Sequence, residues 1–464
     1  MIEGGSSSAK VAGEKKGVDV AIIGGGLAGI AVALRLAASG LSVQLIEAKS
    51  RLGGRTGSFN GSASGGPGKT IDYCQHVAMK CNTAMQELIA ELGQEEHWRP
   101  QETLHFYGPE GKYSPLSQLP LPAPLHIGHW LWRWPGLRLR DRLAIARGML
   151  KIYRLSLCSA ELDQISGYDW LKKVGQTQNA IERFWATIIV SALGEECHRV
   201  SLAAVAKVLQ DGFMKRRDAF HLLVPERPLD RLLNVQARDK LVDLGVDCQV
   251  SSPVSGIARS TEGFVVRARG KEVRAHRVVL ALPWHHLSKL QFDLPQSELE
   301  EVEKIVARCT ELESSPITGI HTWWDRHWLE QSHAVIVGRL CQWVFPGPSQ
   351  GAESSSGEHY YQIVVSASRD LPKADELAGH LVDDLAAVFP GVSQAKLLRH
   401  RVVTDPQAVF SVGVGTQELR PESKTKVQGL WLAGDWTQTG WPATMESAVR
   451  SGFAVAASIR DEAQ

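Results

Sequence analysis

Val18-Asp19-Val20-Ala21-Ile22-Ile23-Gly24-Gly25-Gly26-Leu27-Ala28-Gly29 is the stretch that decides the fold of this chain. Val18 to Ile23 is a short, mostly apolar run, the pattern of a strand buried on both faces. Gly24, Gly26 and Gly29 fill the three positions of G-x-G-x-x-G. The first permits a tight turn, the second lets a pyrophosphate approach the backbone, and the third lets helix and strand pack closely. The N–H groups of Leu27 and Ala28 would then face the phosphates from the start of a helix. The alanine- and leucine-rich run from 27 to 39 predicts that helix, and Gly40 suits its C-terminal stop. A second strand is predicted over 41–46. It ends at Glu47, 18 residues beyond Gly29. A carboxylate there accepts from ribose hydroxyls and repels a 2′-phosphate.

Arg51-Leu52-Gly53-Gly54-Arg55-Thr56 continues from that carboxylate. Two glycines and an arginine at this point resemble the extended fingerprint of flavin amine oxidases and phytoene-type desaturases. The resemblance puts Gly53 and Gly54 beside the cofactor and aims Arg55 at the pyrophosphate as a fixed bidentate donor. The far end of the chain supplies a second half. Gly429 to Asp435 reads as a strand ending in a carboxylate, and Pro442-Ala443-Thr444-Met445-Glu446 opens a helix running to Ile459. In the same superfamily Gly434 and Asp435 meet the ribityl chain. The N–H groups near Ala443, Thr444 and Met445 would favour negative charge on the flavin. Between the two ends, 245–250, 252–257, 263–269 and 277–283 read as strands. Val254 resembles the valine whose backbone meets adenine.

Three further segments sharpen the resemblance: Ile71-Asp72-Tyr73-Cys74-Gln75-His76, Ser315-Pro316-Ile317-Thr318-Gly319-Ile320-His321, and Leu432-Ala433-Gly434-Asp435-Trp436-Thr437. With these the chain resembles the hydroxysqualene dehydroxylase family of squalene-associated, desaturase-like flavin enzymes. One departure is plain: the family has Asp-Asn-Gly-Gln-His where this chain has Asp72-Tyr73-Cys74-Gln75-His76. The resemblance implies an α/β fold, a Rossmann-like FAD-binding domain of the flavin amine oxidase and phytoene desaturase type with an inserted α+β substrate domain. The FAD domain is expected over 17–80, 221–290 and 400–464, and the substrate domain over 81–220 and 291–399. The FAD is expected to be non-covalent, because no linkage motif follows the fingerprint. The implied reaction is reduction of hydroxysqualene to squalene, with an allylic cation quenched from reduced flavin. It needs an acid near the hydroxyl. Asp72, His76, Glu195 and His321 are candidates, and the resemblance places Gln75 with them among the catalytic residues. His76 ranks first because histidine titrates near neutrality, although a loop-holding histidine is an equal alternative. A carotenoid or phytoene desaturase running the hydride step oxidatively is the second reading. An amine oxidase and a flavin-bearing lipid carrier follow. The reductant would be NAD(P)H or a redox partner.

The bulk composition limits the remaining choices. The chain has 464 residues, is 44% hydrophobic and 22% charged, and has net charge +1, so nucleic-acid binding has no electrostatic basis. Seven cysteines without a CxxC predict free thiols. Residues 1–16 read as a polar lead-in without a signal-peptide core. No apolar run is long enough to span a bilayer. No metal set is expected, since His285-His286 lacks a third ligand at sensible spacing. The polar loop 350–358 reads as mobile. Within 113–155, Trp130, Trp132 and Trp134 alternate ahead of a basic, leucine-rich helix. They suit a membrane interface or the roof of a substrate tunnel. The location implied is cytoplasmic, peripheral on the inner face of the cell membrane.

Overall fold

Val20, Ala21 and Ile22 are fully buried, and the strand they form is central to the first of two large sheets. The computed structural model describes residues 17–60, 70–347 and 357–463; the lead-in at 1–16 and most of the 350–358 loop lie outside them. In chain order the first strands are β1 (Val18–Ile23), β2 (Val43–Ile46), β3 (Ser58–Asn60), β4 (Thr70–Asp72), β5 (Ala78–Met79), β6 (Trp98–Gln101), β7 (Leu104–Tyr107) and β8 (Tyr113–Leu116). Next come β9 (Leu222–Pro225), β10 (Asp247–Gln249), β11 (Val254–Ser260), β12 (Gly263–Ala268), β13 (Lys271–Leu280) and β14 (Gln291–Asp293). The last are β15 (Ser314–Trp324), β16 (Ala334–Ile336), β17 (Trp343–Pro346), β18 (His359–Ser366), β19 (Leu397–Phe410) and β20 (Leu430–Leu432).

The first sheet has the order β10-β2-β1-β13-β12-β11-β14, with β20 also against β13. β10, β2, β1, β13 and β20 pair in parallel, with Ile22 opposite Leu45 and Val279, and Val279 opposite Trp431. That sheet joins the two chain ends. Helix α1 (Leu27–Ala38) follows β1, and the C-terminal helix Met445–Ala463 packs on it. The close approach occurs at Gly452, where a Cβ would lie 2.5 Å from the Ala28 carbonyl oxygen.

The second sheet has the order β19-β15-β18-β17-β16-β7-β8. Two expected boundaries shift. β14 pairs with β11 in the first sheet, beyond the expected limit of 290. β19 pairs with β15 in the second sheet, so residues 400–410 belong to that sheet and not to the nucleotide-binding part. A short parallel pairing sets the first limit and a long antiparallel one the second, and no local sequence signal marks either.

The tryptophan segment also differs from its reading. Residues 128–133 form a helix, α3 (Gly128–Arg133). On a helical backbone, residues four apart share a face. Trp130 and Trp134 therefore meet at 4.5 Å, edge to face, and both lie 4.9 Å from the Phe106 ring. Trp134 donates its indole N–H to the Arg183 carbonyl. Both are buried, and Trp132 alone of the three is exposed. Neither a membrane role nor a shared roof fits all three together.

Candidate flavin and active site

The three fingerprint glycines are held for different reasons. Gly24 has φ +113°, and a Cβ on it would lie 2.4 Å from the Ala281 carbonyl oxygen. A Cβ on Gly29 would lie 1.9 Å from the Gly24 carbonyl oxygen. Those two positions are fixed by the chain packing on itself. Gly26 is different: its Cβ would meet only the Cα of Gly54, at 4.0 Å. The space beside Gly26 is open, and the start of α1 has no capping side chain and no acid in its first turn. Among the described residues, the N–H groups of Leu27, Ala28 and Gly29 thus begin a helix with no side-chain cap set against them, the arrangement an anionic pyrophosphate needs. Glu47, at the end of β2, is buried. It accepts from the Gly25 N–H at 2.6 Å and the Lys49 N–H at 2.7 Å. Its carboxylate therefore also holds the glycine turn, and its remaining lone pairs suit ribose hydroxyls. The Gly53 N–H donates to the Gly25 carbonyl at 2.8 Å, stacking the second glycine pair on the first. Val254 lies two residues beyond Ser252, whose N–H donates to the Glu47 carbonyl.

The two chain ends meet at Arg55 and Asp435. An Arg55 Nη lies 2.5 Å from Asp435 Oδ1, and the other donates to the Ala408 carbonyl at 2.8 Å. Asp435 is buried, and its carbonyl accepts from Arg420 and from the Ser447 hydroxyl. The Gly434 N–H donates to Ser451 Oγ at 2.8 Å. Thr444 accepts from the Ser447 N–H through its hydroxyl and from the Ala448 N–H through its carbonyl, so it opens the C-terminal helix at Met445 beside buried Ala443. Arg420 carried no sequence signal. It is fully buried and donates to the carbonyls of Asp435 and Thr437, and burial brings its pKa down to about 10. Glu446 turns elsewhere, accepting from the Ala84 and Met85 N–H groups at the start of α2 (Thr83–Glu91).

The acid candidates sort by environment. His76 Nδ1 donates to the Cys74 carbonyl at 2.8 Å. Burial pushes its pKa down, and Arg55 adds to that against the Cys74 bond. It therefore holds a proton less readily than a free imidazole. Among the described residues Gln75 donates to the His76 carbonyl. His321 is fully buried on β15 with Nδ1 2.7 Å from the Tyr360 hydroxyl, and burial brings it down to about 4. Glu195 is buried against Arg369 and Ser411, which hold its carboxyl below the usual range; this removes it as an acid. Asp72 behaves oppositely. Burial raises it to about 6, despite the bonds that Oδ1 accepts from the Ser58 hydroxyl and the Leu229 N–H. The loop carrying it crosses β15 at Gly319, where a Cβ would lie 2.6 Å from the Tyr73 carbonyl. Gln362 on β18 donates to the Asp72 carbonyl. Asp72 and His321 therefore sit on adjoining segments. Tyr360, whose hydroxyl burial and then Asp72 push well up, is the neighbour that sequence reasoning missed.

A turn-bound helix start, a buried carboxylate at the end of the second strand and an arginine–aspartate clasp between the chain ends define a dinucleotide-dependent oxidoreductase fold. The family model for flavin containing amine oxidoreductases matches residues 27–460, and the chain belongs to that family. It is an FAD-dependent oxidoreductase. A hydroxysqualene dehydroxylase from Rhodopseudomonas palustris is 25% identical over 93% of this chain and 96% of its own. A 15-cis-phytoene desaturase from Narcissus pseudonarcissus is 24% identical over 96% of this chain and 80% of its own. Among solved structures, a cyclohexylamine oxidase from Brevibacterium oxydans superposes with TM-score 0.68 at 20% identity, over 97% of this chain and all of the other (100%). A redesigned putrescine oxidase gives TM-score 0.69 at 18% identity, over 96% and 99%.

Proposed function

We propose that this enzyme reductively dehydroxylates hydroxysqualene to squalene. FAD, once bound and reduced, supplies the hydride that replaces the leaving hydroxyl. Asp72 supplies the proton, so that the C–O bond breaks and the hydroxyl leaves as water. The carrying observation is the raised carboxyl of Asp72, protonated below about pH 6. Its Oδ1 is engaged by Ser58 and Leu229, so Oδ2 is the oxygen assigned the proton. An oxidative desaturation has no use for such an acid, whereas loss of a hydroxyl does. His76 positions the loop through the Cys74 carbonyl, and Arg55 with Asp435 would bind the cofactor's polar chain. The near-full-length match to a hydroxysqualene dehydroxylase supports the same reading. An amine substrate fits less well, since Arg399 stacks at 3.9 Å on Trp323 and Arg401 at 4.1 Å on Phe59. The aromatic faces beside His321 already carry cations. NAD(P)H or a redox partner would recharge the flavin, and the cytoplasmic face of the membrane would supply the substrate.

The test is anaerobic incubation of photoreduced, FAD-loaded protein with hydroxysqualene, read as squalene by mass. Wild-type turnover should fall as pH rises through about 6, approaching about tenfold per pH unit above it. Asp72→Asn should retain FAD and be slow at every pH. Desaturation of phytoene by the oxidised protein, with no squalene formed from hydroxysqualene, would instead support the desaturase reading that the phytoene desaturase match favours.

A further inference from the structure

Helix α4 (Leu139–Tyr153) carries two apolar faces. One is used: Ala144, Ile145, Gly148 and Ile152 are buried. A Cβ on Gly148 would lie 2.9 Å from the Trp185 ring, so α4 is seated hard on the core. At about 100° per residue, Leu139, Leu143, Leu150 and Tyr153 fall within an arc of about 80° on the opposite side. With Trp132 and Leu125 these side chains are each 47–62% exposed. The concentration is local. Of twelve large apolar side chains exposed among the described residues, eight lie between 113 and 153. A face of this kind, rimmed by polar groups, marks an interaction surface.

The charge of the rim states what it meets. Residues 112–160 contain eight Lys and Arg (112, 133, 138, 140, 142, 147, 151 and 154) and one acid, Asp141. The rest of the chain must therefore be net acidic, since the whole is +1. Asp141 is fully buried and accepts from Thr177 and Asn179, so the outward face carries no carboxylate. Arg147, Lys151 and Arg154 flank the leucines, and none forms an ion pair among the described residues. At the α4 start, Lys112, Arg138, Arg140 and Arg183, against the one carboxylate of Glu110, line a cavity of about 460 Å³, a net positive charge at one end of the same face.

We propose that this α4 face, with Trp132 at its edge, docks the enzyme on an anionic phospholipid bilayer. The leucines and Trp132 enter the headgroup–acyl boundary, and the cations meet lipid phosphates. No helix among the described residues is long and apolar enough to cross a membrane, so the contact lies in the plane of the interface. The inference extends the proposed reaction by naming the partner of a surface. The vesicles that test it contain no isoprenoid, so the two proposals fail separately.

The experiment is flotation of FAD-loaded protein with vesicles of phosphatidylcholine alone and of phosphatidylcholine with phosphatidylglycerol. Wild type should float with the anionic vesicles, and raised salt should weaken the binding. Leu139→Ser/Leu143→Ser/Leu150→Ser should partition on the order of 100-fold less, with its flavin absorbance unchanged. Arg147→Glu/Lys151→Glu/Arg154→Glu should lose the preference for anionic lipid. Trp132→Phe should remove the tryptophan emission quenched by brominated lipid. Three results would overturn the proposal: no flotation of wild type, flotation of the triple-serine variant at the wild-type level, or light scattering showing a dimer that the serine variant dissolves. The last would assign the face to a second copy of the chain.

Discussion

The glycine turn at 24–29 and the tryptophan segment at 130–134 are both short, distinctive stretches, and they differ in what makes them legible. At the glycine turn the constraint is local backbone geometry. Gly24 and Gly29 meet main-chain carbonyls of fixed position, so the residue spacing alone defines the turn. At the tryptophans the constraint is the face on which each side chain falls. Alternation along the chain reads as an edge, but the backbone there is helical, and Trp130 and Trp134 turn together into the core. A motif that fixes its own backbone is readable in isolation; a pattern of side chains is readable only once the period of the backbone is known.

Substitution separates these cases, and the largest effect should come from the core. Trp134→Ser should cost about 3–5 kcal/mol, seen as a collapse in thermal midpoint. Trp132→Ser should stay within about 0.5 kcal/mol. Equal losses from the two would mean that the pattern has been misassigned. Next come the glycines. Gly29→Ala must displace a carbonyl and should cost about 1–3 kcal/mol, with FAD lost as well. Among the described residues, Gly26→Ala meets only the Gly54 Cα, at 4.0 Å. It should leave the apoprotein's thermal midpoint unchanged and weaken FAD on the order of tenfold or more, read by fluorescence titration. A drop in apoprotein stability would show that Gly26 serves the fold and not the cofactor.

A smaller effect is expected at the clasp. Arg55→Ala should weaken FAD about tenfold by removing charge-assisted bonds. Arg55→Lys should not restore it, because one ammonium cannot reproduce the guanidinium fork that reaches both Asp435 and Ala408. Full rescue by lysine would reduce the arginine to a point charge. The smallest effect concerns Cys74, where the chain departs from the family it resembles. Burial pushes its thiol up to about 12. It stays protonated at working pH and should resist iodoacetamide at pH 8, while exposed Cys158 reacts. Rapid labelling of Cys74 would mean that the loop opens in solution.

The acid chemistry illustrates a further limit of the sequence. His76 ranked first because an unperturbed imidazole titrates near neutrality. Burial and the Arg55 charge push it down, while burial of a carboxyl pushes Asp72 up to about 6. The same desolvation moves the two residue types in opposite directions, disfavouring the proton on the imidazole and favouring it on the carboxyl. Residue identity gives only the starting value, and the surroundings give the sign and size of the shift. Arg420 and Tyr360 were invisible for a related reason. Each belongs to the site through contacts from distant segments: Arg420 with Asp435 and Thr437, Tyr360 with His321.

By itself the sequence determined the strand–turn–helix, the Glu47 carboxylate at the end of β2, and the two chain-end strands that share one sheet. Those features follow from glycine sterics and the short-range periodicity of buried strands, which act within a few residues. Only the tertiary structure decided that β19 belongs to the second sheet, that Arg55 closes on Asp435, that Trp130 and Trp134 face inward while the outer face of α4 stays bare, and which carboxyl carries a raised pKa. Each depends on atoms brought together from far along the chain. Burial, packing and charge proximity are properties of that assembly, and no window of sequence contains them.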